Sequence, residues 1–271
     1  MPHRDLTGTL VPLLRDVARE AGDMAHRYFR PGQKTHARIW SKAGGSPVTE
    51  ADVQVDAFLK VRLSRALPEA GWLSEETADH PDRLDRRLIW IVDPIDGTRA
   101  FLNGHPDWSV AIGLLMDGEP VLGVVYGPAL NAYYEAVTGA GATLNGQPIG
   151  VSRRAGLAGA LAAGPVPLVD RLAGEVGGVK RAEKIPSLAL RLARVADGSI
   201  DLGLVSANAR DWDIAGADLI LREAGGRLSG LDGAPPRYNG ADPVHGELIA
   251  ASLTLHAPLV EALTRRVHPA H

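Results

Sequence analysis

Trp90-Ile91-Val92-Asp93-Pro94-Ile95-Asp96-Gly97-Thr98 is the stretch on which the fold turns. It carries the end of a short apolar run, Leu88 to Val92, whose β-branched residues predict a buried strand. The run stops at two carboxylates three residues apart, followed by a glycine and a hydroxyl. Carboxylates at the C-terminal end of a strand can share hard cations, and Gly-Thr amides opening a helix can hold a phosphate. The same residues also suit a proline-containing turn with aspartate as a helix cap. Taken alone, the stretch leaves both readings open.

Downstream, Trp108 to Leu115 and Val121 to Tyr126 flank Asp117-Gly118, which predicts two strands joined by a tight hairpin, and Tyr133 to Val137 adds another strand before the glycine-rich segment Gly139 to Gly150. Upstream, Leu10, Leu13, Leu14, Val17, Ala21, Met24, Ala25 and Tyr28 recur at helical spacing, predicting an amphipathic helix over Thr9 to Phe29 with Pro12 in its first turn. Arg30 to Pro47 is polar and rich in turn residues, and reads as a mobile loop feeding a second helix. Thr49 as N-cap with Asp52 at the third position suits a capping box; Val55, Phe58, Leu59, Leu63 and Leu67 supply the buried face, and Pro68 stops the helix.

The second half predicts a helix from Ser187 to Asp197 closed by Gly198, a strand around Asp201 to Val205, and a helix from Asp211 to Ala224 ended by Gly225-Gly226. Strands alternating with helices mean a layered α/β architecture. A soft boundary near residue 150 divides an N-terminal α+β part, 1–150, from a C-terminal α/β part, 151–271.

The 271 residues are 45% hydrophobic and 23% charged, with 29 Lys+Arg against 32 Asp+Glu for a net charge of −3. That is enough chain for a substantial core and shows no basic footprint for nucleic acid. The absence of cysteine excludes disulfides, thiolate zinc sites, iron–sulfur clusters and a cysteine nucleophile. Asp5, Arg15 and Asp16 interrupt every early apolar run, and the longest uncharged apolar stretch, Ala155 to Val169, is too short to span a bilayer. The expectation is a cytoplasmic protein with neither membrane nor nucleic-acid partner. His105, His245, His256 and His268 are scattered and read as surface or packing residues, which argues against zinc.

Other acidic residues are individually ambiguous. Glu75 and Glu76 in Ser74-Glu75-Glu76-Thr77 follow an apolar run and suit either a strand-end site or a solvated loop. Asp52 and Asp213 each fall in the first turn of a predicted helix, where capping is the simpler explanation. In combination and in order, however, Gly45-Ser46-Pro47-Val48-Thr49-Glu50-Ala51-Asp52, Ser74-Glu75-Glu76-Thr77, the Asp93–Thr98 stretch and Trp212-Asp213-Ile214-Ala215-Gly216 resemble the inositol monophosphatase family over nearly the whole chain. That family includes 3'(2'),5'-bisphosphate nucleotidases, fructose-bisphosphatase relatives and some histidinol-phosphatases.

The resemblance implies a layered α/β/α/β/α sandwich of the inositol monophosphatase and fructose-bisphosphatase type, with residues 1–150 carrying most metal ligands and 151–271 supplying Asp213 and substrate-pocket residues. It implies a homodimeric, magnesium-dependent phosphomonoesterase, inhibited by Li⁺ and acting on a small phosphorylated metabolite. By similarity, Glu75, Asp93 and the backbone carbonyl of Ile95 hold a first Mg²⁺, and Asp93, Asp96 and Asp213 a second. A third, loosely held ion would use Glu75 near the loop carrying Lys42. Glu75, Asp52 and Thr98 are thereby catalytic candidates, the latter two as the pair that orients and deprotonates water, while the amides of Gly97 and Thr98 would bind phosphate. Such chemistry is sound, because cations both acidify water and stabilise charge on a departing oxygen.

Where inositol-type members follow Gly-Thr with Thr-Asn-Phe, this chain has Arg99-Ala100-Phe101, and it has Ser206 seven residues before Asp213 where they place a glutamate. The arginine looks more like the nucleotidase and histidinol-phosphatase branches. A second phosphate would need cations, for which Lys42, Arg99, Lys184, Arg191 and Arg210 are candidates. Substrate contacts are therefore expected from Lys42, Asp96, Gly97, Thr98, Arg99, Arg191, Ser206 and Asp213. The favoured activity is that of a 3'(2'),5'-bisphosphate nucleotidase; inositol-1-monophosphatase, histidinol-phosphatase and a regulatory or RNA-machinery binding protein of the same fold are the alternatives.

Overall fold

The computed structural model of the chain describes residues 2–42 and 44–264; His268 lies outside them. In chain order the first half forms α1 (Pro2–His26), the hairpin β1 (Ile39–Ser41) and β2 (Pro47–Thr49), α2 (Glu50–Ala66), β3 (Gly71–Ser74), β4 (Leu88–Asp96), α3 (Thr98–Leu102), β5 (Ser109–Met116), β6 (Glu119–Gly127), β7 (Ala132–Val137), β8 (Gly141–Leu144) and β9 (Gln147–Pro148). The second half forms β10 (Leu161–Ala163), α4 (Val166–Val176), β11 (Lys180–Arg181), α5 (Leu188–Ala196), β12 (Leu202–Val205), α6 (Asp211–Glu223), β13 (Gly226–Gly230), β14 (Leu248–Ser252) and α7 (Leu253–Thr264).

β3 to β9 lie side by side in chain order as one sheet, antiparallel except for the parallel pair β3 and β4. The second sheet has the order β11-β10-β12-β14-β13, parallel between β10 and its two neighbours and antiparallel elsewhere. Leu14, Val17, Ala21, Val55, Leu59 and Leu63 of α1 and α2 bury one face of the first sheet. Its other face packs on α5 and α6, through Leu190, Leu192, Ile214, Ile220 and Leu221, and these helices also cover the second sheet. α4 and α7 close that sheet's far side with Leu168, Leu172, Leu255 and Leu259. The result is an α/β/α/β/α sandwich.

Local chemistry accounts for several boundaries. The Thr49 hydroxyl accepts the N–H groups of Ala51 and Asp52, and Asp52 returns a carboxylate oxygen to the Thr49 N–H at 2.8 Å, the reciprocal capping of α2. The Asp117-Gly118 pair, both at positive φ, turns β5 into β6. Ser187 caps α5 through the Leu190 N–H.

The structure corrects several expectations. The first helix begins at Pro2, which places Pro12 in the helix interior and not in its first turn. The strand expected over Leu88 to Val92 continues to Asp96, because a register shift between Asp93 and Asp96 accommodates Pro94, which has no N–H to give a ladder. Arg30 to Pro47 is not simply a loop: it contains β1, entirely exposed and so without any apolar alternation to betray it, paired along its length with β2. Among the described residues no helix is long and apolar enough to cross a membrane.

Candidate active site

Because β3 and β4 are parallel, their C-terminal ends emerge together. Glu75 follows β3, and its N–H donates to the Val92 carbonyl at 3.3 Å. Asp93, buried near the end of β4, accepts the Ile95 N–H at 2.9 Å. Asp96 ends β4; one of its oxygens accepts the Ser187 hydroxyl at 2.5 Å and the Ala189 N–H at 2.7 Å, so this carboxylate also anchors the start of α5. Gly97 sits at φ +87°, and a Cβ there would stand 3.2 Å from the Asp107 carbonyl and from the backbone of Ser187, so only glycine turns the chain into α3 at this point. Thr98 then opens α3, its hydroxyl 3.2 Å from the Ile95 carbonyl and 3.4 Å from Asp52. Asp213 arrives on the first turn of α6 and accepts the Arg210 N–H at 2.7 Å.

Asp93, Asp96 and Asp213, from two elements distant in sequence, thus offer carboxylate oxygens that all lie within 4.8 Å of one another. Burial raises the pKa of Asp93 well above the ordinary carboxylate value, and the charges of Glu75, Asp96, Asp213 and Asp52 add to it. Asp213 is raised in the same way, by burial and then by Asp96. Asp96 is raised to about 6 by burial, against the opposing hydrogen bonds of Ser187 and Ala189. Asp52 also reaches about 6, through burial offset by its bonds to Thr49. Desolvated, mutually repelling carboxylates with only oxygen donors suit a hard divalent cation, which would reverse the sign of every one of these interactions. The donor set therefore fits the cation that the resemblance implies.

Lys42 extends from the β1–β2 hairpin to Glu75 at 2.9 Å and Glu76 at 2.7 Å. Burial works to lower the Lys42 pKa, but the two glutamates outweigh it. Glu76 itself rises to about 7, chiefly from burial. Two pockets flank Glu75. One, of about 270 Å³, is lined by Gly97, Thr98, Arg99, Lys184 and Arg191. The other, of about 410 Å³, is lined by Lys42, Asn208, Arg210, Trp212 and Asp213. Arg191 donates to the carbonyls of Leu204 at 3.0 Å and Ile185 at 2.8 Å, leaving its buried Nε without a partner. Ser206 is exposed just past β12 and lines neither pocket. A larger cavity, about 870 Å³ beside His105 and Arg194, contains none of Asp93, Asp96 and Asp213.

Two supporting residues escaped the sequence reading. Asp56, one turn beyond Asp52 on α2, accepts the hydroxyls of Ser74 and Thr77 and so holds the Glu75–Glu76 turn from both sides. Its spacing of four from Asp52, among the apolar residues of the buried face, was the available signal. Ser187 was visible as a helix start, but its bond to Asp96 spans 91 positions and has no local signature.

A model of the "Inositol monophosphatase family" matches residues 9–268. The chain belongs to that family. Among similar proteins, the inositol-1-monophosphatase of Mesorhizobium japonicum is 32% identical over 268 residues, 94% of this chain and 96% of that protein. The 3'(2'),5'-bisphosphate nucleotidase CysQ of Aggregatibacter actinomycetemcomitans is 32% identical, covering 84% and 87%. The histidinol-phosphatase of Mycobacterium tuberculosis is 37% identical, covering 84% and 87%. The crystal structure of extragenic suppressor protein suhB from Bartonella henselae, 28% identical, superposes with a TM-score of 0.83 over 96% of this chain and 100% of that one. As a member of the inositol monophosphatase family, the chain is a hydrolase of phosphoric monoesters, and the similar levels of identity leave the substrate to be argued from the site.

Proposed function

We propose that this inositol monophosphatase family enzyme is Mg²⁺-dependent and hydrolyses a nucleotide of the 3'(2'),5'-bisphosphate type. The observation that carries the substrate is the pocket next to Thr98, where Arg99, Lys184 and Arg191 converge. A second phosphate on the substrate would find charge-assisted donors there. Inositol, a neutral polyol, gains nothing from three cations, and the ammonium of histidinol would be repelled by them.

Asp93, Asp96 and Asp213 would hold the cation, with Glu75 and the Ile95 carbonyl beside them. Bound Mg²⁺ supplies Lewis-acid stabilisation of the phosphoryl oxygens and acidification of water. Thr98 donates its hydroxyl proton toward Asp52 or the Ile95 carbonyl, which leaves its oxygen lone pairs to orient the attacking water. Asp52, pushed to about 6, is a base matched to neutral pH and takes the proton of that water. Gly97 and Thr98 hold the phosphate at the entry to α3. Li⁺ inhibits by competing for the same carboxylates. The reading includes a homodimer acting in the cytoplasm, with residues 1–150 carrying most metal ligands and 151–271 supplying Asp213.

Phosphate release from adenosine 3',5'-bisphosphate, inositol 1-phosphate and histidinol phosphate, measured side by side, tests the proposal. The bisphosphate is expected to give the highest kcat/KM. Arg99→Met, altering an exposed side chain, is expected to lower that value by roughly 10-fold, the scale of one charged hydrogen bond, without affecting inositol 1-phosphate. Preference for inositol 1-phosphate would overturn the substrate assignment; no hydrolysis of any of the three would favour a binding role for the same fold.

A further inference from the structure

The turn that carries Glu75 and the helix that carries Asp213 come from different parts of the chain, yet one strap links them. Arg83 lies in the short turn Pro81–Asp85 that follows Glu75 and is 3% exposed. Its guanidinium grips Asp79 with two bonds, at 2.6 and 2.7 Å, fixing the end of the Glu75 segment. The same guanidinium donates to the Asn239 side-chain oxygen at 2.6 Å and to the Gly240 carbonyl at 3.0 Å, and the Asn239 amide returns a bond to the Arg83 carbonyl.

Asn239 then faces the other way. Its backbone N–H donates to Asp211 at 2.7 Å, and Asp211, the fully buried first residue of α6, receives the His245 Nε2 on its second oxygen at 2.7 Å. The Asp211 N–H goes to the Pro243 carbonyl, and His245 exchanges backbone bonds with Ala209 and Asn208. Tyr238 adds a bond to Asp218 nearly two turns along the helix. The segment from Tyr238 to His245 therefore clamps the start of α6, and Arg83 is its connection to the Glu75 turn.

We propose that Asn239, with Arg83 and Asp211, is a positioning unit that fixes Asp213 against the Glu75 turn and thereby sets the affinity of the carboxylate cluster for its divalent cation. The proposal rests on the reading that Asp93, Asp96 and Asp213 hold a cation. Residues that orient metal-bearing carboxylates from outside typically change affinity by about 10–100-fold when removed. None of the three needs to touch the cation; each acts on where Asp213 stands.

Asn239→Gly is the discriminating variant. Asn239 occupies the left-handed region at φ +59°, which glycine adopts freely, so the backbone and the N–H to Asp211 survive while both side-chain bonds to Arg83 are lost, leaving only the bond from Arg83 to the Gly240 carbonyl. Arg83→Met removes every guanidinium bond, to Asp79, Asn239 and the Gly240 carbonyl. Arg154→Met, which removes a bond to Asp201 remote from the site, controls for general loosening. Mn²⁺ binding is read by the electron paramagnetic resonance signal of the free ion, with substrate absent, beside the thermal midpoint of each apoprotein.

The expected result is tight Mn²⁺ binding by the unaltered enzyme, a dissociation constant raised about 10-fold or more in Asn239→Gly and Arg83→Met, and an unchanged constant in Arg154→Met. In turnover, the Mg²⁺ concentration for half-activation should rise while the substrate KM at saturating Mg²⁺ holds. Folded Asn239→Gly protein that binds Mn²⁺ as tightly as the unaltered enzyme overturns the proposal, as does an equal loss in Arg154→Met. Failure of the unaltered enzyme to bind Mn²⁺ would instead overturn the underlying reading of the carboxylates, and the positioning role with it.

Discussion

Asp52 and Asp93 are both buried carboxylates at one site, but their surroundings differ, and so do the roles proposed for them. Asp93 stands within the group of three oxygens that can share a cation, and every charge near it opposes ionisation. Asp52 lies outside that group, tied down by the Thr49 N–H and hydroxyl and reached by the Thr98 hydroxyl. A base and a ligand should separate on mutation. Asp52→Asn is expected to lower kcat by about 10²–10⁴-fold, the usual worth of general-base catalysis, with Mn²⁺ affinity within a factor of about two. Loss of Mn²⁺ binding in that variant would mean that Asp52 is a ligand. At this scale the sequence was informative where chemistry is local: the Asp93–Thr98 spacing and the Thr49–Asp52 cap were legible. Partners such as Asp56 and Asn239 were not, because a hydrogen bond across the fold leaves no trace in the spacing of either residue.

At the scale of elements, Asp213 reaches the site because α6 lies unusually close to the first sheet. Gly216 abuts it: a Cβ on Gly216 would fall 2.5 Å from the Ile112 carbonyl, and one on Gly123 would fall 2.3 Å from the Gly216 carbonyl. Backbone blocks both positions, so no side-chain rotation can relieve the clash. Gly123→Ala should therefore push α6 outward, cost about 1–3 kcal/mol or more, and weaken Mn²⁺ binding, which calorimetric unfolding and metal titration would read together. An unchanged midpoint would show that the helix has slack. The helices α5 and α6 were readable from the sequence because both have clear starts and glycine ends. β10, β13 and β14 were not. Leu161-Ala162-Ala163 and Leu248-Ile249-Ala250-Ala251-Ser252 are largely buried on both faces, so they show no alternation, and their small residues carry little strand preference.

Across the whole molecule, the sandwich concentrates negative charge where the ends of β3 and β4 meet the starts of α2, α5 and α6, and this has a sign that can be measured. Asp52 and Asp96, at about 6, and Glu76, at about 7, all stand above their ordinary values in the metal-free protein. The folded state then binds more protons than the unfolded chain between about pH 4 and pH 7, so stability falls as pH rises through that window. Thermal midpoints in chelator should decline from pH 5 to pH 7.5, and saturating Mg²⁺ should flatten or reverse the decline by binding the ionised, folded form. A midpoint that rises with pH in chelator would contradict this account of the site. The net charge of −3 conceals that concentration, since it counts the buried carboxylates together with the surface.

On the proposed reading, Asp93, with Asp96 and Asp213, holds the cation on which phosphoester hydrolysis depends. The decisive experiment is phosphate release by Asp93→Asn at saturating Mg²⁺, on protein shown to fold by circular dichroism. The predicted result is a loss of at least about 10³-fold, about 4 kcal/mol of transition-state stabilisation, that no Mg²⁺ concentration restores. Full turnover in Asp93→Asn would contradict it.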